Sequence, residues 1–172
     1  MEIKELADLL QKNGVVGAGG AGFPTYAKLD KRAETILMNC AECEPLLKLH
    51  RQLLEKHADE IVSAFHLVME TVGAKEAIIG IKKEYKKTIE ALKGVIPNYS
   101  GVRLGLLDEV YPAGDEVVLI YEVTGKVVRP GGLPIESVTG RLTSATTLTS
   151  LSTTGSLLCI ARERLYSVST LN

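Results

Sequence analysis

The chain has 172 residues, three of them cysteines, and a net charge of −1 with 24% charged residues. A chain of this length buries about two thirds of its unfolded surface in one domain without a disulfide framework, and its charge provides neither a basic face for nucleic acid nor a polybasic membrane patch. No apolar run reaches the roughly 18 residues of a membrane span, so we expect a cytoplasmic protein without direct membrane insertion, whose partners are small molecules or proteins.

The first predicted element is a helix from Glu2 to Lys12, which ends at Asn13-Gly14. A Gly/Ala-rich run from Gly17 to Thr25 follows, in which the backbone amides have almost no side chain in front of them. The run contains the G-x-G-x-x-G spacing of a dinucleotide loop, but that motif needs a strand before it and a helix after it, and Phe23-Pro24 interrupts such a helix. The run is therefore either a surface turn or a ligand-binding loop of another type.

Strands alternate with helices through the middle of the chain. The pattern predicts, in order, a strand at Thr35 to Met38, one long helix after Pro45 that ends at Gly73, a strand at Ala77 to Ile81, a lysine-rich helix at Lys83 to Leu92, a strand at Val102 to Leu107, a helix at Asp115 to Thr124, and a strand from Lys126 into a turn at Gly132. Right-handed crossovers make this a parallel α/β layer, in which the loops after the first and third strands share one edge. We therefore expect residues 39–45 and 108–114 to meet.

The chain from residue 137 to 172 has a different character. The segment from Arg141 to Ser156 is mainly Thr, Ser and Leu, and its period is neither helical nor strand-like. We therefore divide the chain into an α/β domain at residues 1–136 and an atypical tail at 137–172, and we expect the tail to be the loosest part, with few buried contacts. A shifted reading frame, an early truncation and a divergent terminal extension are the alternatives that this composition leaves open.

Three motifs in order carry a resemblance to a known family. They are GVVGAGGAGFPTYAKL from Gly14, NCAECEPLLK from Asn39 and YPAGDEVVLIYEVTG from Tyr111. From Gly14 to Pro134 the chain resembles the flavin-binding domain shared by the 51 kDa NADH-oxidising subunit of respiratory complex I and the C subunit of the Rnf electron-transport complex. It is most similar to the Rnf branch and its relatives, first the proline-reductase-associated electron-transfer proteins and next the cobalamin reductases. The resemblance implies a Rossmann-like, three-layer, parallel-sheet α/β domain that binds FMN and NADH.

The resemblance also implies roles for individual residues. The residues expected to contact the cofactors are Gly17, Gly19, Gly20, Ala21, Phe23, Lys28, Asn39, Glu42, Cys43, Gly114 and Asp115. Among these, Phe23 is expected to stack on the adenine of NADH, and Lys28 to neutralise negative charge on the flavin side. Asn39 and Glu42 are expected to bond the polar groups of the flavin.

Two acids are the expected catalytic residues. Glu116 matches the second acid of the family's Gly-Glu-Glu signature, which borders the nicotinamide pocket, and Glu44 is the other acid near that pocket. Other roles stay open from the residues alone: Asn39 could cap the next helix, Lys28 could be a solvated surface lysine, and Glu42 and Glu44 could complement the positive end of a helix.

The pair Cys40 and Cys43 supplies a rival interpretation, because a C-x-x-C pair can be a redox dithiol or half of a metal site. A metal site fails on the number of ligands, since Cys159 is the remaining thiol and the three histidines lie on the long predicted helix at spacings that do not converge. We therefore expect no metal site, and a dithiol stays as an alternative.

The function implied by the resemblance is that of an electron-transfer flavoprotein domain of NADH dehydrogenase type. It would oxidise NADH through FMN and pass electrons to iron–sulfur clusters that lie only in partners or in missing domains. In this family an Asn-Val-Glu-Thr stretch after Gly-Gly-Leu-Pro touches the flavin, and this sequence shows no recognisable counterpart. The alternative is therefore a truncated, non-catalytic remnant that keeps the fold without bound flavin and serves at most as an interaction module.

Overall fold

The structure is a computed structural model, and it describes residues 1–16, 24–43, 46, 48–128, 130–131, 138–139, 141–142 and 144–148. The α-helices in these ranges are α1 (Ile3–Lys12), α2 (Leu49–Lys56), α3 (Ala58–Val72), α4 (Lys86–Val95) and α5 (Glu116–Thr124). The strands are β1 (Ala33–Asn39), β2 (Glu76–Lys82), β3 (Val102–Leu107), β4 (Val138–Thr139), β5 (Arg141–Leu142) and β6 (Ser144–Leu148). Short 3-10 helices span Thr25–Lys28 and Ile96–Asn98.

Four strands form a sheet in the order β3-β2-β1-β6, and all neighbours in it are parallel. At the centre of β1, Leu37 lies opposite Ile78 of β2 and Thr147 of β6. The chain runs outward from β1 through β2 to β3 and then returns to the other side of β1. This reversal creates a topological switch point at the carboxyl ends of β1 and β6, the place where open α/β sheets bind ligands.

Helices cover both faces of the sheet. Ile36 and Met38 of β1 belong to the larger core, which also contains residues of α1, α3 and α4. Leu37 points to the opposite face, where it packs with Ile120 of α5 and with Val128. Alternate residues of a strand point to opposite faces, so the uncharged run Ile36–Met38 in the middle of β1 suits burial on both sides. The predicted three-layer α/β fold with a parallel sheet is confirmed.

The single long helix predicted before Gly73 is wrong, because the chain forms two helices that meet at His57. The backbone of His57 leaves the helical region, with φ −131° and ψ 34°, and its ring Nδ1 lies 2.9 Å from Oε1 of Glu60. Leu54 of α2 and Ile61 of α3 are nevertheless both fully buried. The apolar stripe continues across the break, which is why periodicity did not show it. Gly73 ends α3 in the left-handed conformation, as predicted.

Two predictions near the C-terminal end of the described chain also need correction. Residues 126–128 form no strand, although Val128 is buried against the sheet. The expectation that 141–156 contains no regular element is wrong for residues 141–142, which form β5 and pair with β4, and for residues 144–148, which form β6 and pair with β1. Thr146 and Thr147 supply the β-branched side chains that favour an extended backbone there. The rest of the predicted tail, from residue 149, lies outside the described residues.

Within the described ranges, no helix combines the length and the apolar character needed to cross a bilayer. In the same ranges, no group of three or more His, Cys, Asp or Glu side chains is arranged to hold a metal ion.

Candidate functional site

The loops after β1 and β3 meet at the carboxyl edge of the sheet. The Asn39 side chain donates from Nδ2 to the carbonyl oxygen of Gly114 over 2.8 Å, and its Oδ1 accepts from the backbone N–H of Ala41 at 3.1 Å. One side chain thus joins two loops that lie 75 residues apart in the chain. The predicted meeting of the second and third motifs is confirmed. Asn39 does not act as a helix cap in these contacts, and its expected bond to flavin stays a prediction.

Gly114 lies directly against the loop that follows β1. A Cβ atom at this position would stand 2.3 Å from the carbonyl oxygen of Ala41 and 2.7 Å from Sγ of Cys43. The Ala41 oxygen belongs to the backbone, so a change of side-chain rotamer cannot move it out of the way. The glycine is therefore required by close packing between the two loops, so protein atoms occupy the space beside it.

Lys28 and Glu116 bring the first motif to the third. Lys28 is the last residue of the 3-10 helix Thr25–Lys28, which packs against α1 and β6, and Glu116 is the first residue of α5. Burial lowers the pKa of Lys28, and the negative charge of Glu116 acts in the opposite direction. A partly desolvated lysine beside an acid is typical of functional sites, although structural ion pairs also produce it. Lys28 is therefore not the fully solvated surface lysine of the alternative interpretation.

Asp115 caps α5. Its Oδ1 accepts hydrogen bonds from the backbone N–H groups of Val117 at 3.0 Å and Val118 at 3.2 Å. Asp115 therefore orients the first turn of α5, and with it the backbone of Glu116. Its expected contact with a cofactor remains a prediction.

Glu42 is buried, and its carboxylate has a protein partner. Nε of Arg51 in α2 lies 2.9 Å from Oε2 of Glu42, whose side chain is 1% exposed. The guanidinium carbon of Arg51 stands 4.2 Å from the centre of the Tyr85 ring. The sequence pattern did not identify Arg51 or Tyr85 as part of the site. A buried glutamate signals that a cation must lie nearby, but it does not say which of the 20 lysines and arginines supplies it.

Another pair of acids lies on the loops at this edge of the sheet. Glu84 follows β2 and Glu109 follows β3, and a hydrogen bond between their carboxyl groups raises the pKa of Glu84. Lys83 beside this pair is bonded to Asp108. The edge thus carries the Glu84–Glu109 pair at its β2–β3 end and the Lys28–Glu116 pair near β6.

The two cysteines of the C-x-x-C pair have different surroundings. Cys40 is fully buried in the larger core, whereas Cys43 is partly buried and its Sγ lies 3.7 Å from the carbonyl oxygen of Ala41. Neither Cys40 nor Cys43 takes part in a disulfide bond within the described part of the chain. Cys40 has no exposed surface from which to react with a redox partner, so the structure gives the dithiol alternative no support.

Several predicted site residues lie outside the described residues: Gly17, Gly19, Gly20, Ala21, Phe23 and Glu44. The residues on either side of 17–23 are described and lie next to each other. Val16 and Pro24 form an antiparallel bridge, and the N–H of Thr25 donates to the carbonyl oxygen of Val15 at 3.1 Å. The chain before residue 17 and the chain after residue 23 are therefore held together by backbone hydrogen bonds.

The family model for the Nuo51 FMN-binding domain, known as Complex1_51K, matches residues 10–153. The chain belongs to this family. The match extends past residue 136 and includes β6, the strand that the sequence pattern did not predict. The flavin-binding, electron-transfer character of the resemblance is therefore confirmed at the level of the family.

Relatives of two kinds are similar to the chain. Cobalamin reductase PduS of Salmonella typhimurium is 45% identical over 130 residues, which cover 76% of this chain and 28% of that protein. The C subunit of the Na+-translocating ferredoxin:NAD+ oxidoreductase complex of Acetobacterium woodii is 36% identical over 141 residues, which cover 80% of this chain and 32% of that protein. The chain thus spans about a third of the length of these curated relatives.

A solved structure supports the fold. The crystal structure of an NAD+-reducing NiFe hydrogenase in the air-oxidised state aligns with a TM-score of 0.71 and 25% identity, and the alignment covers 94% of this chain and 30% of that chain. The architecture found here therefore recurs in a much longer chain of an NAD+-reducing enzyme.

The described residues fit an FMN site in their chemistry. Lys28 supplies a partly desolvated cation for an anionic group, and Asn39 and Gly114 fix the loops on which the site would stand. These groups surround the switch point of the sheet. The described part of the chain therefore offers FMN a cation, Lys28, at the place where this class of sheet binds ligands.

Proposed function

We propose that the chain is an electron-transfer flavoprotein domain that oxidises NADH through FMN and passes electrons to an iron–sulfur partner. FMN, when bound, would supply the redox chemistry: it can take from NADH a hydride, which carries two electrons and one proton, so that NADH becomes NAD+, and it can pass the two electrons on one at a time. The observation that carries the proposal is the meeting of the three motifs at the switch point in a member of an FMN-binding family.

Each residue of the site has a proposed task. Lys28 neutralises negative charge on the flavin side, and Glu116 borders the place where the nicotinamide ring stacks. Asn39 holds the two loops at the edge in register. Gly19 and Gly20 let the first loop approach the ligand, and Glu44 is the second acid at the nicotinamide pocket.

The cellular setting is also part of the proposal. We place the protein in the cytoplasm, where NADH is available, with an electron-accepting iron–sulfur protein or reductase complex as its partner. The candidate acceptors are the proline-reductase system, a corrinoid enzyme and a membrane complex, of which the last two correspond to the relatives described above.

The first test is binding of FMN to the purified full chain. We expect FMN fluorescence to be quenched on titration and the complex to be yellow. Gly19→Val should abolish binding in a folded protein, because a branched side chain would fill the space that the ligand needs. A folded wild-type chain that leaves FMN fluorescence unchanged would favour the interaction module instead.

The second test separates NADH oxidation from flavin binding. NADH added without oxygen should bleach the bound flavin, and Glu116→Gln should slow bleaching more than it weakens FMN binding. Glu122 is an exposed acid on the same helix. Glu122→Gln is therefore the matched control and should change neither the rate of bleaching by NADH nor the affinity for FMN. If FMN binds and dithionite bleaches it but NADH does not, the chain is a flavoprotein that does not oxidise NADH.

A further inference from the structure

The carboxylate of Glu42 is one of the most deeply buried charged groups among the described residues. Its side chain is 1% exposed, and Nε of Arg51 lies 2.9 Å from its Oε2. A charge removed from water in this way is tolerated only when a partner compensates it. Arg51, whose side chain is 25% exposed, is that partner, and it reaches the loop after β1 from α2.

Tyr85 completes the arrangement from a third element. Its ring lies under the guanidinium group of Arg51, with 4.2 Å between the guanidinium carbon and the ring centre. Its hydroxyl donates to the backbone carbonyl oxygen of Glu42 over 3.4 Å. Burial raises the pKa of Tyr85, so the hydroxyl keeps its proton as a donor at neutral pH. We call Glu42, Arg51 and Tyr85 the Glu42 clamp.

The clamp fixes the loop that carries the rest of the site. Glu42 stands three positions after Asn39, and Ala41 between them contacts Gly114. A movement of this loop would therefore disturb the start of α5 and Glu116. Stacking and the Nε bond hold the guanidinium plane in one orientation, which a lysine could not reproduce.

We propose that Arg51 and Tyr85 are positioning residues for FMN: they hold the loop at residues 39–43, and Arg51 neutralises Glu42 so that its negative charge does not oppose electron uptake by the flavin. This inference rests on the proposed function and assigns a role to two residues outside the three motifs. A negative charge close to the isoalloxazine ring disfavours the reduced, more negative flavin, and a paired charge does so much less.

The test measures the affinity for FMN and the midpoint potential of the bound flavin in the full chain. Arg51→Met should weaken the binding of oxidised FMN about tenfold and the binding of reduced FMN about 100-fold. This additional factor of about ten lowers the midpoint potential by about 30 mV for a two-electron couple. Arg51→Met combined with Glu42→Gln removes both charges of the pair and should therefore return the potential to near that of wild type. Tyr85→Phe should weaken FMN binding and leave the potential unchanged, because it removes a donor and no charge.

Two controls separate the clamp from a purely structural role. Arg103→Met removes another arginine, which pairs with Glu76 at 3.0 Å on the partly exposed surface, and should change neither quantity. Arg51→Lys keeps the charge but not the stacking geometry. It should therefore weaken FMN binding and leave the midpoint potential equal to that of wild type within error. It also provides the comparison if Arg51→Met does not fold.

The outcomes are distinct. If wild type binds FMN and a folded Arg51→Met variant has the same midpoint potential as wild type, the proposed role of the Glu42 clamp is wrong and the proposed function stands. If Arg51→Met does not fold, an Arg51→Lys variant with wild-type FMN affinity overturns the clamp. Wild type that binds no FMN overturns the proposed function, and the clamp with it.

Discussion

Gly114 shows how a single position joins the two loops of the site. Its missing side chain lets the loop before α5 lie against the Ala41 carbonyl, and Asn39 then bonds the Gly114 carbonyl oxygen at 2.8 Å. A glycine in this role is selected by close packing and not by an unusual backbone angle, because Gly114 is not among the glycines with a positive φ. The two motifs therefore depend on each other through this contact.

We predict that Gly114→Ala destabilises the protein by about 1–3 kcal/mol, because its Cβ would stand 2.3 Å from a backbone oxygen and the loops must separate. Urea unfolding measures the effect. Gly94→Ala, in α4 with nothing within 4 Å of the new Cβ, is the control and should stabilise by up to about 1 kcal/mol. Equal stability of the Gly114 variant and wild type would mean that the loops do not pack as described.

The charge of Lys28 has a consequence for stability. Burial lowers its pKa in the folded protein below the unfolded value of 10.5. The folded state therefore binds this proton less tightly than the unfolded chain does, and protonated Lys28 opposes folding at neutral pH. The opposition is fully present below the folded pKa and fades as the pH rises from that pKa towards 10.5.

We predict that Lys28→Met raises the free energy of unfolding at neutral pH without FMN, and that its advantage over wild type shrinks at alkaline pH. The same variant should bind FMN more weakly, since the cation is lost. Unfolding at neutral and alkaline pH, together with FMN titration, checks both statements. Lys31 is an exposed lysine nearby. Lys31→Met is the control and should change neither the free energy of unfolding nor the affinity for FMN. A Lys28→Met variant less stable than wild type at neutral pH would show that the lysine stabilises the free protein.

At the scale of elements, α5 depends on its cap. Asp115 bonds the N–H groups of Val117 and Val118, which would otherwise lack partners at the start of the helix. We predict that Asp115→Ala costs about 1 kcal/mol of stability and that Asp115→Asn, which keeps the acceptor, costs much less. Thermal unfolding compares the two variants. If FMN affinity falls equally in both, the carboxylate charge itself acts on the ligand.

The elements from β1 to α5 could be predicted because hydrophobic periodicity and glycine stops act locally. The meeting of Asn39 with Gly114 followed from parallel topology alone. The break at His57 could not be predicted, since the apolar stripe continues across it. Arg51 could not be assigned either, because ion-pair partners depend on how α2 packs and not on spacing. β6 was missed because a short edge strand gains its order from the neighbour with which it pairs.

At the scale of the whole molecule, β6 closes one side of the sheet. Without it, β1 would be an edge strand with a row of unpaired backbone groups, and the switch point would lose one wall. The 3-10 helix that carries Lys28 also packs against β6. The segment that appeared least structured in the sequence is thus adjacent to the candidate site.

The pairing of β6 can be tested with two neighbouring prolines. In an edge strand, consecutive residues direct their N–H groups alternately towards the neighbouring strand and away from it, and proline has no N–H to donate. Thr146 lies opposite Ile36 and Thr147 opposite Leu37. We therefore predict that one of Thr146→Pro and Thr147→Pro lowers the melting temperature and weakens FMN binding, while the other is much better tolerated. Valine at each position is the control, because it keeps both the N–H and the branched Cβ. If both prolines are tolerated as well as valine, β6 does not pair with β1.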